Sequence, residues 1–553
     1  MPDDPPQLSE HRPLRPLWPW MVAALVILPL IGLAFTYWSL SHSAESRWAA
    51  VQKRLADTHH TLDFMSLVPP PVPDDQNFYA IPPLKDIALV IDDDEEAGET
   101  GARRKQLLDL KIDMKYPDAV SPYPRYCEGM DYGIPLDPAA WAAFFRETEA
   151  VPMPAPSGND GSDILRALQS RKPLLDALNA GNQRPLSQPT PAVKDRPPVK
   201  SVAEMKLSHL TPLLAALNTL ELHAEAAKFS GDTARAVKDI STMLRLSEGA
   251  GQEPVLIGVL VAETGFAISL RPVWSILQAR SADALQLERL AHDLNRVDLQ
   301  GIVIKAMRGE LTFCAASAES DPAELRALLA TPTVSNLLHH DTFAENLSGV
   351  GLVLQLRMNP SAVIRGNKAA LVDLMLTHCV QPLEIHGLQG LPTMTKKLVR
   401  ENIENLAPGI FGLYPAQSLP QFGGVLMKAL LVSVRLDQAR TACALERYFI
   451  KNGSYPEDLS KLVPEFLSAM PTDPMNGRPM HYQRTGDRYK LWTVGPDGDD
   501  DGGTVEPGHS DDPRFPRLQD HAYPGDWVWS YERLVPEDPP PPSKRKKAHL
   551  KSK

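Results

Sequence analysis

The residues best suited to chemistry are the aspartates of GPDGDDDGG, residues 495–503. Asp497, Asp499, Asp500 and Asp501 lie within five residues, with Gly498, Gly502 and Gly503 around them. Carboxylates that close repel one another, so water, a partner or a cation must balance them. Asp497-Gly-Asp499-Asp-Asp501-Gly502 follows D-x-D-x-D-G, the first half of an EF-hand-type calcium loop. Oxygens at positions 1, 3 and 5 suit a hard cation that takes about 6–8 of them, and a glycine at 6 allows the sharp turn. Position 12 of an EF-hand is glutamate. Here it is Gly508, and the nearby glutamate is Glu506. The loop is therefore not a standard EF-hand, and another carboxylate must close a calcium cage. The competing expectation is a solvated, metal-free turn between strands.

Other clusters carry less. The run IDDDEEAGE (91–99) puts acids from Asp92 to Glu96, but without the glycines and alternation of a cage it reads as a solvated loop. His339-His340-Asp341 offers two adjacent histidines. On a helix they point about 100° apart and do not share an ion easily. The chain has no HExxH, GxSxG, P-loop or GxGxxG pattern, so no catalytic or cofactor-binding residue is nominated and no small-molecule substrate is identified. The net charge of −11 argues against nucleic-acid binding, which needs a basic face. Cys127, Cys314, Cys379 and Cys443 are far apart and lack metal or redox spacing. They read as buried single thiols, with a disulfide open if the domain lies outside the cytoplasm.

The aspartates must be held by the elements of residues 421–535. A helix is expected over 422–451, with Leu431, Val434, Ala442, Leu445 and Phe449 on one face. Asn452-Gly453 stops it, with Gly453 suited to the left-handed C′ position. A short helix over 457–467 follows, then a turn from Pro471 to Pro474. PMHYQRTGDRYKLWTVG (479–495) reads as a hairpin turning at Thr485-Gly486-Asp487. WVWSYE (527–532) supplies a third strand.

The stretches ALERYFIKNGSYPEDLSKL (444–462), PTDPMNGRPMHYQ (471–483) and YKLWTVGPDG (489–498) resemble the globular head of the major pseudopilins of type II secretion. The resemblance covers about 110 residues. It implies a long helix on a three-stranded antiparallel sheet, with calcium in the loop before the last strand. It makes Asp526 the first choice to complete the ligand set Asp497, Asp499, Asp500, Asp501 and Asp526, with Asp511 and Asp512 as alternatives and Asp500 open to point outward. The expected role of the ion is structural, tying a loop of about 28 residues. The chain departs from that family in lacking the Gly-Phe-Thr-Leu-Glu processing motif before its apolar segment. The architecture as a whole resembles uncharacterised bacterial envelope proteins.

That apolar segment is LWPWMVAALVILPLIGLAFTYWSL, residues 17–40, uninterrupted by charge. Its length gives about 36 Å as a helix, enough to cross a bilayer core of about 30 Å. Trp18, Trp20, Tyr37 and Trp38 match interfacial belts, and Pro29 is tolerated in a span. An uncleaved anchor is expected, against a signal peptide cut near Ser-His-Ser-Ala, 41–44. Residues 44–65 read as a helix leaving the membrane. Arg12 and Arg15 before the segment nearly balance Arg47, Lys53 and Arg54 after it. Orientation therefore rests on the calcium loop, since weak sites of ~10⁻⁴–10⁻³ M are filled outside cells.

The domains expected are a cytoplasmic tail (1–16), the anchor (17–40), a mixed stalk with a Pro-rich linker (41–200), an α-helical scaffold (201–420), the calcium-binding head (421–535) and a disordered basic tail (536–553). VPPPVPDDQNFYAIPPL (68–84) reads as an extended path. In the scaffold, residues 210–248 form two helices around Ser230-Gly231-Asp232, with Asp232 as N-cap. They resemble one tetratricopeptide-like hairpin, with Ala236 at the close approach. Further helices are expected at 254–279, 282–296, 299–317, 322–331 and 366–379. The expected fold class is mainly α, with an N-terminal transmembrane helix, an irregular helical domain and a small α+β head. The expected protein is a non-enzymatic, single-span protein of the bacterial inner membrane, its bulk periplasmic, serving secretion or assembly through protein contacts. The alternatives are an enzyme within the helical region and a purely structural surface protein.

Overall fold

The computed structural model of the chain describes residues 18–87, 98–112, 136–189, 207, 209–317, 359–391, 409–504 and 525–532. The acids Asp92 to Glu96, the pair His339-His340, Asp511, Asp512, Cys127, the helix expected over 322–331 and the basic tail lie outside these residues. The chain is mainly helical, with a three-stranded antiparallel sheet near its end.

α1 (Trp18–Asp57) is one unbroken helix of 40 residues that runs through Pro29. The separate helix expected from 44 to 65 is its second half, because residues 30–57 contain only Gly32 as a weak point and no proline. In the first half Leu25, Leu28 and Phe35 are 78%, 65% and 63% exposed. In the second half Ala44, Val51 and Leu55 are buried. A helix that is apolar all round and bare of protein contacts is compatible with a membrane anchor or a signal sequence.

The body contains α2 (Glu99–Leu108), α3 (Pro138–Thr148), α4 (Asp160–Ala167), α5 (Lys172–Asn179), α6 (Leu210–Phe229), α7 (Thr233–Ala250), α8 (Leu256–Gln278), α9 (Ala284–Asn295), α10 (Leu299–Ser317), α11 (Pro360–Met375) and α12 (Gln381–His386). α13 (Leu413–Asn452) leads to β1 (His481–Thr485), β2 (Arg488–Thr493) and β3 (Trp527–Ser530). Local chemistry sets many of the boundaries. Asp232 accepts from Arg235 N–H at 3.1 Å to start α7, and Asp283 with Gln286 makes a capping box for α9. Asn359 caps α11 in the same way.

The second half of α1 docks along α11. Arg54 pairs with Asp373, Arg365 with Glu45 at 2.9 Å, and Lys368 lies 4.5 Å from the Trp48 ring. The Asn359 amide donates to Ser41 Oγ at 2.7 Å. α8 is also long and apolar enough to cross a membrane, but 67% of its apolar window is buried. Phe266 and Trp274 are inside the protein core, which accounts for its composition.

The segment expected as a stalk is folded onto the body. Phe78, Tyr79, Ile81 and Leu84 pack with residues of α6 and α7, and Tyr79 Oη donates to Leu246 O at 2.7 Å. Trp141, Phe144 and Phe145 of α3 pack with Ile164 of α4 and Ala226 of α6. Prolines at 69–73 keep the approach extended, but the aromatic residues after them are core.

The expected boundary at 420/421 falls inside α13. This helix starts at Leu413 rather than 422 and serves body and head together. Its buried residues share one apolar core with Trp274 and with Tyr489, Leu491 and Trp529 of the sheet. Arg440 donates to Leu294 O at 2.8 Å, Gln438 to Trp527 O at 2.6 Å, and Trp274 Nε1 to Ser530 O at 3.0 Å. Gly453 ends α13 at φ 73°, as its type predicts. The helix expected over 457–467 is only a 3₁₀ turn, Leu459–Leu462, capped by Asp458. Pro464 cannot donate a helical hydrogen bond and stops it. In the sheet, Thr485 faces Arg488 across the Gly486-Asp487 turn, and Leu491 faces Trp529. Cys314, Cys379 and Cys443 are buried.

Candidate functional site: the aspartate loop

The loop leaves β2 through buried Trp492, Thr493 and Val494. At Gly495 an added Cβ would lie 1.8 Å from Gly525 O. Only glycine lets the two ends of the loop touch there. Asp497 uses both oxygens on backbone: Oδ1 accepts from Asp499 N–H at 3.2 Å and Oδ2 from Gly525 N–H at 2.8 Å. Asp526 Oδ2 accepts from Gly503 N–H at 2.7 Å. So Asp497 and Asp526, at opposite ends, each clasp the other end.

Asp500 turns to the sheet. Its Oδ1 accepts from Trp492 Nε1 at 2.9 Å and Gly502 N–H at 3.1 Å, and its Oδ2 lies 3.4 Å from His481 Nδ1. His481 stacks on Trp492 with centroids 5.1 Å apart. Asp499 and Asp501 stay exposed. Lys490 Nζ donates to Gly502 O at 2.8 Å and Gly503 O at 3.2 Å, placing one cation against the loop. Beneath it, buried Asp473 accepts from Met475 N–H and Val494 N–H, both at 2.8 Å.

Environment separates these acids. Burial raises the Asp526 carboxyl above its ordinary value against the pull of the Gly503 and Asp501 N–H groups, and the charges of Asp500 and Asp501 add to the rise. Burial likewise raises Asp473, against bonds from Met475 and Val494. The Trp492 bond, more than any other contact, lowers Asp500. Asp526 Oδ1 is buried without a hydrogen-bond partner.

All the nominated donors are carboxylate oxygens, the chemistry of a hard cation. The structure brings Asp497 and Asp526 to the same closure, leaves Asp499 and Asp501 on the open side, and ties Asp500 elsewhere. Among the described residues, no three His, Cys, Asp or Glu side chains are grouped to hold a metal. Sequence reasoning missed Asp473, His481, Lys490 and the Trp492 clamp. Asp473 had a signal in its P-T-D-P turn; the pairing of Trp492 with Asp500 has none. No family model, curated protein or solved structure matches the chain.

Proposed function

We propose that this chain is a single-span envelope protein of a bacterial inner membrane. Its helical body and calcium-tied head would lie on the periplasmic side and act as a scaffold in secretion or assembly through protein contacts. The observation that carries the reading is the two-part character of α1: bare and apolar over its first half, docked on α11 over its second. Ala44, in the possible signal-peptidase site, is buried within that continuous helix. This supports an uncleaved anchor, since peptidases need extended, accessible chain. In this reading the body would sit directly on the membrane, without a flexible linker. The secretion role rests on the likeness of residues 444–498 to pseudopilin heads.

Calcium fits the loop in two respects. The donors are all oxygen, and the orphaned Asp526 Oδ1 is a buried acceptor without a partner, a state that a cation relieves. Asp497, Asp499, Asp501 and Asp526 would hold the ion; Asp500, turned away to Trp492 and His481 on the sheet, would not. Bound there, calcium supplies charge balance and ties the loop. A second reading, a metal-free loop, is favoured by the Lys490 ammonium on the Gly502 and Gly503 carbonyls.

Alkaline carbonate washing should leave the full chain in the membrane pellet, and protease added to spheroplasts should degrade the head. Release into the wash, or protection until lysis, would overturn the anchor or its orientation. In micelles the full chain should unfold at a higher temperature in millimolar calcium than in chelator; equal midpoints would remove the metal.

A further inference from the structure

A recess unrelated to the aspartate loop lies where body and head meet. It is bounded by the start of α10, the 3₁₀ turn Gly387–Gly390, α13 and the turn at Thr472 and Pro474. It has room of about 230 Å³, where one water needs ~10–15 Å³ by the same measure. Two contacts fix its walls. Gln389 Nε2 reaches Thr472 Oγ1 at 3.4 Å, and Leu388 N–H reaches Gln300 Oε1 at 3.4 Å. An added Cβ at Gly387 would lie 2.2 Å from that same Gln300 oxygen, so the turn closes on Gln300 because residue 387 is glycine.

Asp437 is set into this recess. Its neighbours Leu436 and Gln438 are 1% and 0% exposed, while its own side chain is 39% exposed. Protein packed around it still raises its carboxyl above the ordinary value, against the pull of Arg440. A carboxylate both crowded and accessible stands in a concavity, not on an open face. Arg440 Nη1 donates to Asp437 Oδ1 at 2.6 Å, and Asp437 Oδ2 has no partner among the described residues. Arg440 Nε and Nη2 are spent on Leu294 O and Val297 O. Asp298 Oδ1 accepts from Gly301 N–H at 2.8 Å, which leaves its Oδ2 open. Ser433 Oγ, Gln300 Nε2 and Gln389 Oε1 are open in the same sense.

The lining therefore carries unmet groups of both kinds: acceptors on Asp437, Asp298 and Gln389, a donor on Gln300, and a hydroxyl on Ser433 that serves as either. An ammonium brings donors alone. A phosphate or carboxylate brings acceptors alone and meets two aspartates. Charge is already answered, since Arg440 pairs with Asp437 and the Lys305 ammonium feels the charge of Asp298. A hydroxyl donates and accepts at once, so several hydroxyls on one small frame match the whole set. Leu388, Leu436 and Pro474 add apolar surface for the C–H face of a ring. Drug-sized ligands take clefts of ~300–1,000 Å³, so the occupant is smaller, of the size of one sugar ring.

We propose that this recess binds a neutral polyol of monosaccharide size, whose hydroxyls donate to Asp437 and Asp298 and accept from Gln300. The proposal is independent of the calcium and anchoring readings.

The test is saturation-transfer NMR on the full chain in micelles of a detergent without a sugar head, with empty micelles as blank. The probes are glucose, galactose and mannose, against cadaverine as a cation and citrate as an anion. At least one hexose should bind at roughly millimolar concentration, because hydrogen bonds exchanged with water contribute little net. Cadaverine and citrate should be at least about tenfold weaker, since a charge must be stripped of water to enter. Asp437→Asn keeps the shape and the bond from Arg440 but puts an NH₂ in place of the open oxygen, and should weaken the hexose about tenfold. Gln389 is exposed, so Gln389→Trp should fold whether or not the first variant does, and should block the recess. No hexose bound, a charged probe bound as tightly as the best hexose, or hexose binding unchanged by Gln389→Trp would overturn the proposal.

Discussion

In the interior formed by α6, α7 and α8, Glu221, Glu225, Asp239 and Glu263 sit away from water. In the loop after β2, Asp497, Asp499 and Asp501 sit in it. The interior acids have fixed partners drawn from distant chain: Asp239 takes His223 Nδ1 at 2.6 Å and Asn179 Nδ2 at 2.7 Å. Asp497 instead takes backbone N–H groups, from its own loop and from the loop's return. Interior carboxylates stand or fall with the fold, while exposed ones are available to a solute. Glu263 is the interior exception, since neither oxygen has a partner.

The largest test asks whether head and body are one cooperative unit. Trp274→Ala removes a buried ring and its bond to Ser530 O, and should cost about 3–5 kcal/mol. Head and body should still unfold in one transition, followed by near- and far-ultraviolet dichroism. Two separated transitions would divide the core that α13 joins.

Next, Asp239→Ala strands His223 and Asn179 and should cost about 3 kcal/mol or more. Asp499→Ala, measured in chelator, should change stability by less than about 0.5 kcal/mol. Similar losses in denaturant titrations of the two variants would erase the contrast between the regions.

A smaller effect comes through pH. Burial raises the Glu263 carboxyl well above its ordinary 4.5, with Lys428 pulling the other way. A raised folded value means that the protonated form favours the fold. Its contribution is complete below about pH 4.5 and is lost as pH rises through the folded value. Glu263→Gln stays neutral, so its stability should fall less than wild type between pH 5 and 9. Parallel pH profiles would show that Glu263 ionises at no cost to the fold.

The smallest expected effect is at Asp500→Asn. The new side chain still accepts from Trp492, so stability should move by less than about 0.5 kcal/mol. Because Asp500 is not among the proposed ligands, the gain from calcium should persist, about 1.4 kcal/mol at tenfold excess over Kd. Loss of that gain, read by thermal unfolding, would put Asp500 into the cage.

The parts legible in sequence rest on local physics. Asp232 and Gly453 marked helix ends because capping involves only a few neighbouring residues. The Gly486-Asp487 hairpin followed from two flanking β-patterned runs. The burial of Phe78 and Tyr79 is not legible in the sequence, because the prolines before them hide any period and the burial depends on α6 and α7. The start of α13 was misplaced because residues 413–421 contain Pro415 and Pro420, which local rules count against a helix that its surroundings hold.

The sequence alone determined the uninterrupted apolar run and the spacing of the aspartates and glycines. These depend on residue type and short-range geometry. Only the tertiary structure decided which acids are dry and which are wet. Asn179 and Asp239 meet across 60 residues, and Trp274 meets Ser530 across 256. Burial is set by neighbours distant in the chain, whereas the pull of Asp500 toward Trp492 spans only eight residues and depends on the sheet that holds the indole.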